Sequence, residues 1–136
     1  MSWDQSLIRI STYEVEVLQK RLAEIADRRA RLEMELAVLE AEGEAEIENA
    51  RRDAIAGWYH AGFAEGLKLR KSRVHEALAG VALEEQGARD ALNAAFETQK
   101  KYEHVAEGIR LTRLREAQRR EAAAMDELGL RRVGAR

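Results

Sequence analysis

A chain of 136 residues that is 35 % charged and only 5 % aromatic, with no proline, has room for one domain and too few large apolar side chains for a compact globular core. Its 23 Lys and Arg against 25 Asp and Glu leave a formal net charge of −2, so no global field selects nucleic acid or anionic lipid. The absence of cysteine excludes disulfides, thiolate chemistry and cysteine-type zinc sites, and no apolar run approaches the roughly 18 residues of a membrane span.

The opening Met1-Ser2-Trp3-Asp4-Gln5 has no basic start followed by an apolar stretch, which predicts no secretory signal and a cytoplasmic address. A first helix is predicted over about residues 5–57. Its residues at alternating steps of three and four are Ile8, Ser11, Val15, Leu18, Leu22, Ile25, Arg29, Leu32, Leu36, Leu39 and Gly43. Most are aliphatic and charged residues fill the intervals, which is the period of a coiled-coil seam held for about five heptads. Beyond Gly43 the phase slips to Ile47, Ala50, Ala54 and Trp58, a stutter.

The stretch 58–66 is the expected reversal. Around it, Gly57, Gly62 and Gly66 stand beside Trp58, Tyr59 and Phe63. Each helix-interior glycine costs about 1 kcal/mol relative to alanine, so three together mark the place where a helix would end. A reversal there is nearly central and predicts arms of similar length with the termini together. One continuous helix that dimerises in parallel is the competing reading.

A second helix is predicted over about residues 67–128. Its seam runs Leu67, Val74, Leu78, Val81, Ala88, Leu92, Ala95, Gln99, Tyr102, Ala106 and Ile109. Leu111, Leu114 and Ala117 then lead into weaker amphipathicity, and the glycines and arginines of 129–136 predict a frayed tail. The expected fold class is therefore all-α, an antiparallel two-helix coiled-coil hairpin forming a single domain over 1–136.

Charge is uneven along the chain. Glu33, Glu35, Glu40, Glu42, Glu44, Glu46 and Glu48 lie in a segment without Lys or Arg, and Arg51, Arg52, Lys68, Arg70, Lys71 and Arg73 follow. From Arg110 to the end, arginines outnumber acids. Such blocks are ordinarily solvated helix faces; the sharper reading docks the basic ones on acidic partner surfaces.

Nothing in the pattern points to catalysis. His60, His75 and His104 are never three or four apart, so no helix face offers a histidine pair to a metal. The glycine cluster is followed by Leu67-Lys68-Leu69 rather than the Lys-Ser/Thr of a phosphate loop. A thin helix pair has no concave pocket in which to desolvate a carboxylate. No enzyme activity, cofactor, metal or small-molecule substrate is expected. Trp58, Tyr59 and Phe63 either pack inside the reversal or face solvent beside the basic residues, a composition common in interface hot spots.

Several features in chain order resemble a known family. They are the leucines Leu18, Leu22, Leu32, Leu36 and Leu39 with Arg28-Arg29, then the central aromatic-glycine stretch, then Gln99-Lys100-Lys101-Tyr102-Glu103. The ending Arg119-Arg120-Glu121 with Met125-Asp126-Glu127 follows. Over about residues 5–128 the chain is similar to the FliJ family, stalk proteins of the flagellar type III export apparatus. The resemblance implies a flagellar export component that serves flagellum assembly and motility. It would sit in the hexameric export ATPase ring, and link it to the export gate membrane protein and to export chaperones at the cytoplasmic face of the inner membrane. It also implies that Trp58, Tyr59, Phe63 and Leu67 are gate-side contact candidates. Arg110, Arg113, Arg115, Arg119 and Arg120 become ring-side candidates, with the paired segments Leu7–Leu22 and Ile109–Leu128 inside the ring. A generic coiled-coil adaptor and the stalk of a virulence type III secretion system are the alternatives. A nucleic-acid role ranks low, because the arginine-rich end lacks interleaved aromatics.

Overall fold

The computed structural model describes residues 2–134. Two helices account for nearly all of them: α1, Trp3–Arg52, and α2, Ala54–Gly134, with no strand among the described residues. The fold class is the expected all-α antiparallel helix pair. The chain divides into two compact units, residues 16–93 and residues 2–15 with 94–134.

In the unit of residues 16–93 the two helices meet along the predicted seam. One cluster joins Ile25, Val81 and Ala88, with Leu22 and Leu32 packed against it. A second joins Leu39, Leu67 and Val74, flanked by Leu32, Leu36, Phe63 and Leu78. The register is antiparallel: Arg28 pairs with Glu84, Arg29 with Glu85, and Arg70 reaches Glu42 at 3.7 Å.

The reversal differs from expectation. Asp53 alone separates the helices, and the stretch 58–66 is helical throughout. Asp53 serves both ends at once. Its N–H donates to the Asn49 carbonyl at 3.2 Å, closing α1, and its carbonyl accepts from Gly57 N–H at 3.0 Å, opening α2. Its Oδ1 accepts from the Ile55 N–H at 3.0 Å, which is an N-cap. A glycine stops a helix mainly by entering the left-handed region, and among the described residues no glycine has positive φ. Gly57 instead allows close approach: a Cβ there would stand 3.3 Å from the Ala50 carbonyl oxygen, across the turn. Of the predicted stutter positions, Ile47 is 46 % exposed and Trp58 77 % exposed beside the early turn, Ala50 is partly buried, and the side chain of Ala54 lies outside the described residues.

In the other unit, residues 2–15 lie against the part of α2 that begins at Ala94. Ser11, Val15 and Ala95 are buried there, and Gln99 Nε2 donates to Thr12 Oγ1 at 3.1 Å. Asp4, in the first turn of α1, is also buried and feels the charge of Arg113. Past that level α1 has ended, and every described residue from Leu111 to Gly134 is exposed. The expected arms of similar length and joined termini are thus replaced by a 50-residue α1 and an 81-residue α2. Much of the expected frayed tail 129–136 is helix through Gly134; residues 135–136 lie outside the described residues, as does Met1. Trp3, at the start of α1, is 60 % exposed.

Candidate functional site

Two places carry exposed side chains with the chemistry of recognition, one in each unit. The first is the closed end of residues 16–93. Trp58 and Tyr59 stand in solvent with ring centroids 4.9 Å apart and planes at 72°, an edge-to-face pair. Their exposure follows from the turn at Asp53, which leaves the first turns of α2 with little of α1 to pack against. Phe63, one turn further along, is partly buried against Leu39, Leu67 and Val74. Leu67 is a core residue, packed so closely that a Cβ on Gly43 would stand 2.7 Å from its Cδ2. Of the four predicted gate-side residues, then, two are exposed, one is half-covered, and Leu67 supports the surface from beneath.

Next to Phe63 and Leu67 a groove of about 700 Å³ opens between the helices, with Glu40 and Glu44 on the α1 side and Lys68 and Lys71 on the α2 side. His60 and His75 also line it. Periodicity could not reveal this groove, because it exists only once the register across the turn is known.

The second place is the end of α2. Leu111, Leu114, Met125 and Leu128 recur at helical spacing and are all exposed. By the turn of the helix, Arg113 and Arg120 flank this stripe on one side, with Arg115 and Arg119 on the other. The five predicted ring-side arginines are therefore close together, but they are not equivalent. Arg110 is held by Glu107: its Nε and Nη2 donate to the two carboxylate oxygens at 2.9 and 2.6 Å. That bidentate bond keeps the Glu107 carboxyl below its ordinary range and raises the Arg110 guanidinium further. Arg113 lies near Asp4, whose carboxyl is held below its ordinary range first by the neighbouring Ser2 hydroxyl and more weakly by Arg113. Arg115, Arg119 and Arg120 are exposed. Segments Leu7–Leu22 and Ile109–Leu128 are not paired as expected. Residues 2–15 face α2 before and around Arg113, and every described residue from Leu111 onward is exposed. The cause is the early turn, which shifts the register so that α1 runs out first.

Among the described residues, no helix is long and apolar enough to cross a membrane, and no group of three or more acidic or histidine side chains is placed to hold a metal ion.

No family model and no solved structure matches the chain. Two curated proteins do: the Flagellar FliJ protein of Caulobacter vibrioides strain NA1000 / CB15N and that of strain ATCC 19089 / CIP 103742 / CB 15. Each is 52 % identical over 131 residues, covering 96 % of this chain and 94 % of the relative. Identity of that extent takes in α1, the turn at Asp53, the closed-end aromatics and the exposed part of α2 in one alignment, and the chain belongs to the FliJ family.

Proposed function

We propose that this protein is a non-catalytic, stalk-like component of flagellar protein export that binds the hexameric export ATPase and links it to the export gate and to chaperones during flagellum assembly. The relatives are named flagellar proteins, and the observation that carries the binding reading is the exposed end of α2. A helix with four uncovered apolar side chains on one face and arginines on both flanks is built to lie in an apolar groove with acidic lips. The ring contact is accordingly Leu111, Leu114, Met125 and Leu128 with Arg113, Arg115, Arg119 and Arg120. Arg110 contributes less, being already bound to Glu107. The gate contact is Trp58, Tyr59 and Phe63 at the closed end, with Leu67 in the core against which Phe63 packs. Export chaperones would share these exposed surfaces, at the cytoplasmic face of the inner membrane.

The test is the rate of a purified flagellar export ATPase against added chain. Stimulation at stoichiometric amounts is expected, and it is expected to vanish on deletion of residues 110–136. Reversing the charge of Arg113, Arg115, Arg119 and Arg120 should weaken binding by more than the loss of Arg110 alone. Undiminished stimulation by the truncated chain would refute the ring contact. An unchanged affinity of Trp58→Ala plus Phe63→Ala for the cytoplasmic domain of the gate would refute the second contact.

A further inference from the structure

We infer that the groove at the closed end of residues 16–93 is a self-association surface, occupied by the same groove of a second copy of the chain, with both helix pairs pointing the same way. The inference rests on the shape and charge of this groove; it shares Phe63 with the proposed gate contact, so self-association and gate binding would compete for that side chain. The floor is apolar, made by Ile47, Phe63 and Leu67, and Gly43 keeps it open by leaving room for the Leu67 side chain. Ile47 is 46 % exposed, so the floor is wet in a single copy.

The two lips carry opposite charge: Glu40 and Glu44 on α1, Lys68 and Lys71 on α2. Glu42 and Arg70, which lie outside the groove, close to 3.7 Å. Among the described residues, none of the four lip residues takes part in an ion pair.

That pattern is complementary to itself. A two-fold axis running along the helix pair exchanges left and right, so it sets α1 of one copy over α2 of the other at the same height. Height is fixed by the antiparallel register, in which Gly43 lies against Leu67 and Glu42 near Arg70. In that register Glu40 is level with Lys71, and Glu44 is level with Lys68. The rotation therefore lays each glutamate on a lysine of the second copy, four opposite-charge pairs around one apolar floor. An axis across the helices would instead set α1 on α1 and bring like charges together, which costs specificity and affinity. A helix from another protein would fit only by carrying a basic edge and an acidic edge at these same heights; a second copy carries both already.

Sedimentation equilibrium on the full chain tests the inference, with circular dichroism confirming that each variant is helical. A monomer–dimer equilibrium is expected. Lys68→Glu with Lys71→Glu should weaken it by about tenfold or more. Adding Glu40→Lys and Glu44→Lys to that same chain should restore it. A separate Glu40→Lys with Glu44→Lys variant, mixed with the Lys68→Glu with Lys71→Glu variant, should form a heterodimer more readily than either self-associates. A chain that stays monomeric at its highest soluble concentration overturns the inference and leaves the groove to a helix of another protein. A dimer undiminished in the lysine variant overturns the groove as its site, and failure of the fourfold swap to restore association overturns the two-fold arrangement.

Discussion

Glu85 occupies a seam position between Val81 and Ala88 where the heptad phase calls for an aliphatic side chain, and it is buried there. Two guanidinium groups hold it: Arg29 Nη1 donates to Oε2 at 2.6 Å and Arg89 Nη2 to Oε1 at 2.7 Å. The substitution Glu85→Ala removes both. A hydrogen bond to a charged group contributes about 1.5–3 kcal/mol when its partner would otherwise be stranded. Here the arginine side chains are 41 % and 57 % exposed. Released, they return to water rather than remain buried and unpaired, and the desolvation of the glutamate is relieved at the same time. The net loss is therefore expected at only about 1–2 kcal/mol, the low end for a buried network. For a chain of this size that is a fall of roughly 3–8 °C in the midpoint of helix loss on heating. Replacing Arg29 and Glu85 together by leucine joins them to Ile25, Val81 and Ala88, and such a swap of ion pair for hydrocarbon is expected to raise the midpoint or leave it unchanged. A melting curve for Glu85→Ala identical to that of the parent would refute the account. So would a double-leucine variant less stable than Glu85→Ala.

Asp53→Ala removes the cap that opens α2 and should cost about 1 kcal/mol in urea unfolding, whereas Asp53→Asn, an equal capping residue, should be close to neutral. Leu39→Ala opens a cavity beside Leu67 and Val74 and should cost about 2–4 kcal/mol by the same measurement. For Glu107 the folded carboxyl lies below its unfolded value because Arg110 hydrogen-bonds to it. Its stabilisation is therefore complete above the ordinary carboxylate range and fades as pH falls through the lowered folded value. An NMR titration should show that depression, and Arg110→Gln should return Glu107 toward the ordinary value while leaving the melting midpoint little changed.

The helices themselves were legible because they depend on what periodicity measures. Every predicted seam residue from Ile8 to Gly43, and from Leu67 to Ile109, is at least partly buried. The turn was not legible from glycine content, because helical glycines without positive φ do not end a helix. The chain reverses at Asp53 by side-chain capping, which needs a single residue with an acceptor oxygen and no left-handed glycine. That signal was present in the Arg52-Asp53 pair, where basic residues favour the end of one helix and an aspartate can start the next. Misplacing the turn propagated. Once the reversal sits at Asp53, α1 must run out opposite the part of α2 near Arg113, and the segment from Leu111 onward is left uncovered. The weak seam after Ile109 was the trace of that fact in the sequence: the described residues from Leu111 onward are all exposed. Trp58 and Tyr59 read as interface residues from composition, but their exposure could be decided only by where the turn fell.

Packing is graded in a way that bears on what each surface can do. In residues 16–93 the seam is mostly leucine, isoleucine and valine, interrupted by Gly43, Glu85 and Ala88. Among residues 2–15 and 94–134 the buried apolar set is Val15 and Ala95, joined by Ser11 and the Thr12–Gln99 hydrogen bond. At about 25 cal/mol per Å² buried, alanine and serine contribute little, so helix order there leans on local propensity. Beyond Leu111 it rests on propensity alone: Ala, Glu, Arg and Leu, with Arg131 and Glu127 paired one turn apart at 3.0 Å. Isolated helices longer than about 15 residues of good formers are partly stable in water, whereas shorter ones are marginal. The exposed end of α2 is thus ordered enough to present Leu111, Leu114, Met125 and Leu128 as one face, and among the described residues all four stay exposed. A partner that covers it gains the apolar burial while ordering few additional residues, and binding is stronger by the conformational entropy that need not be lost.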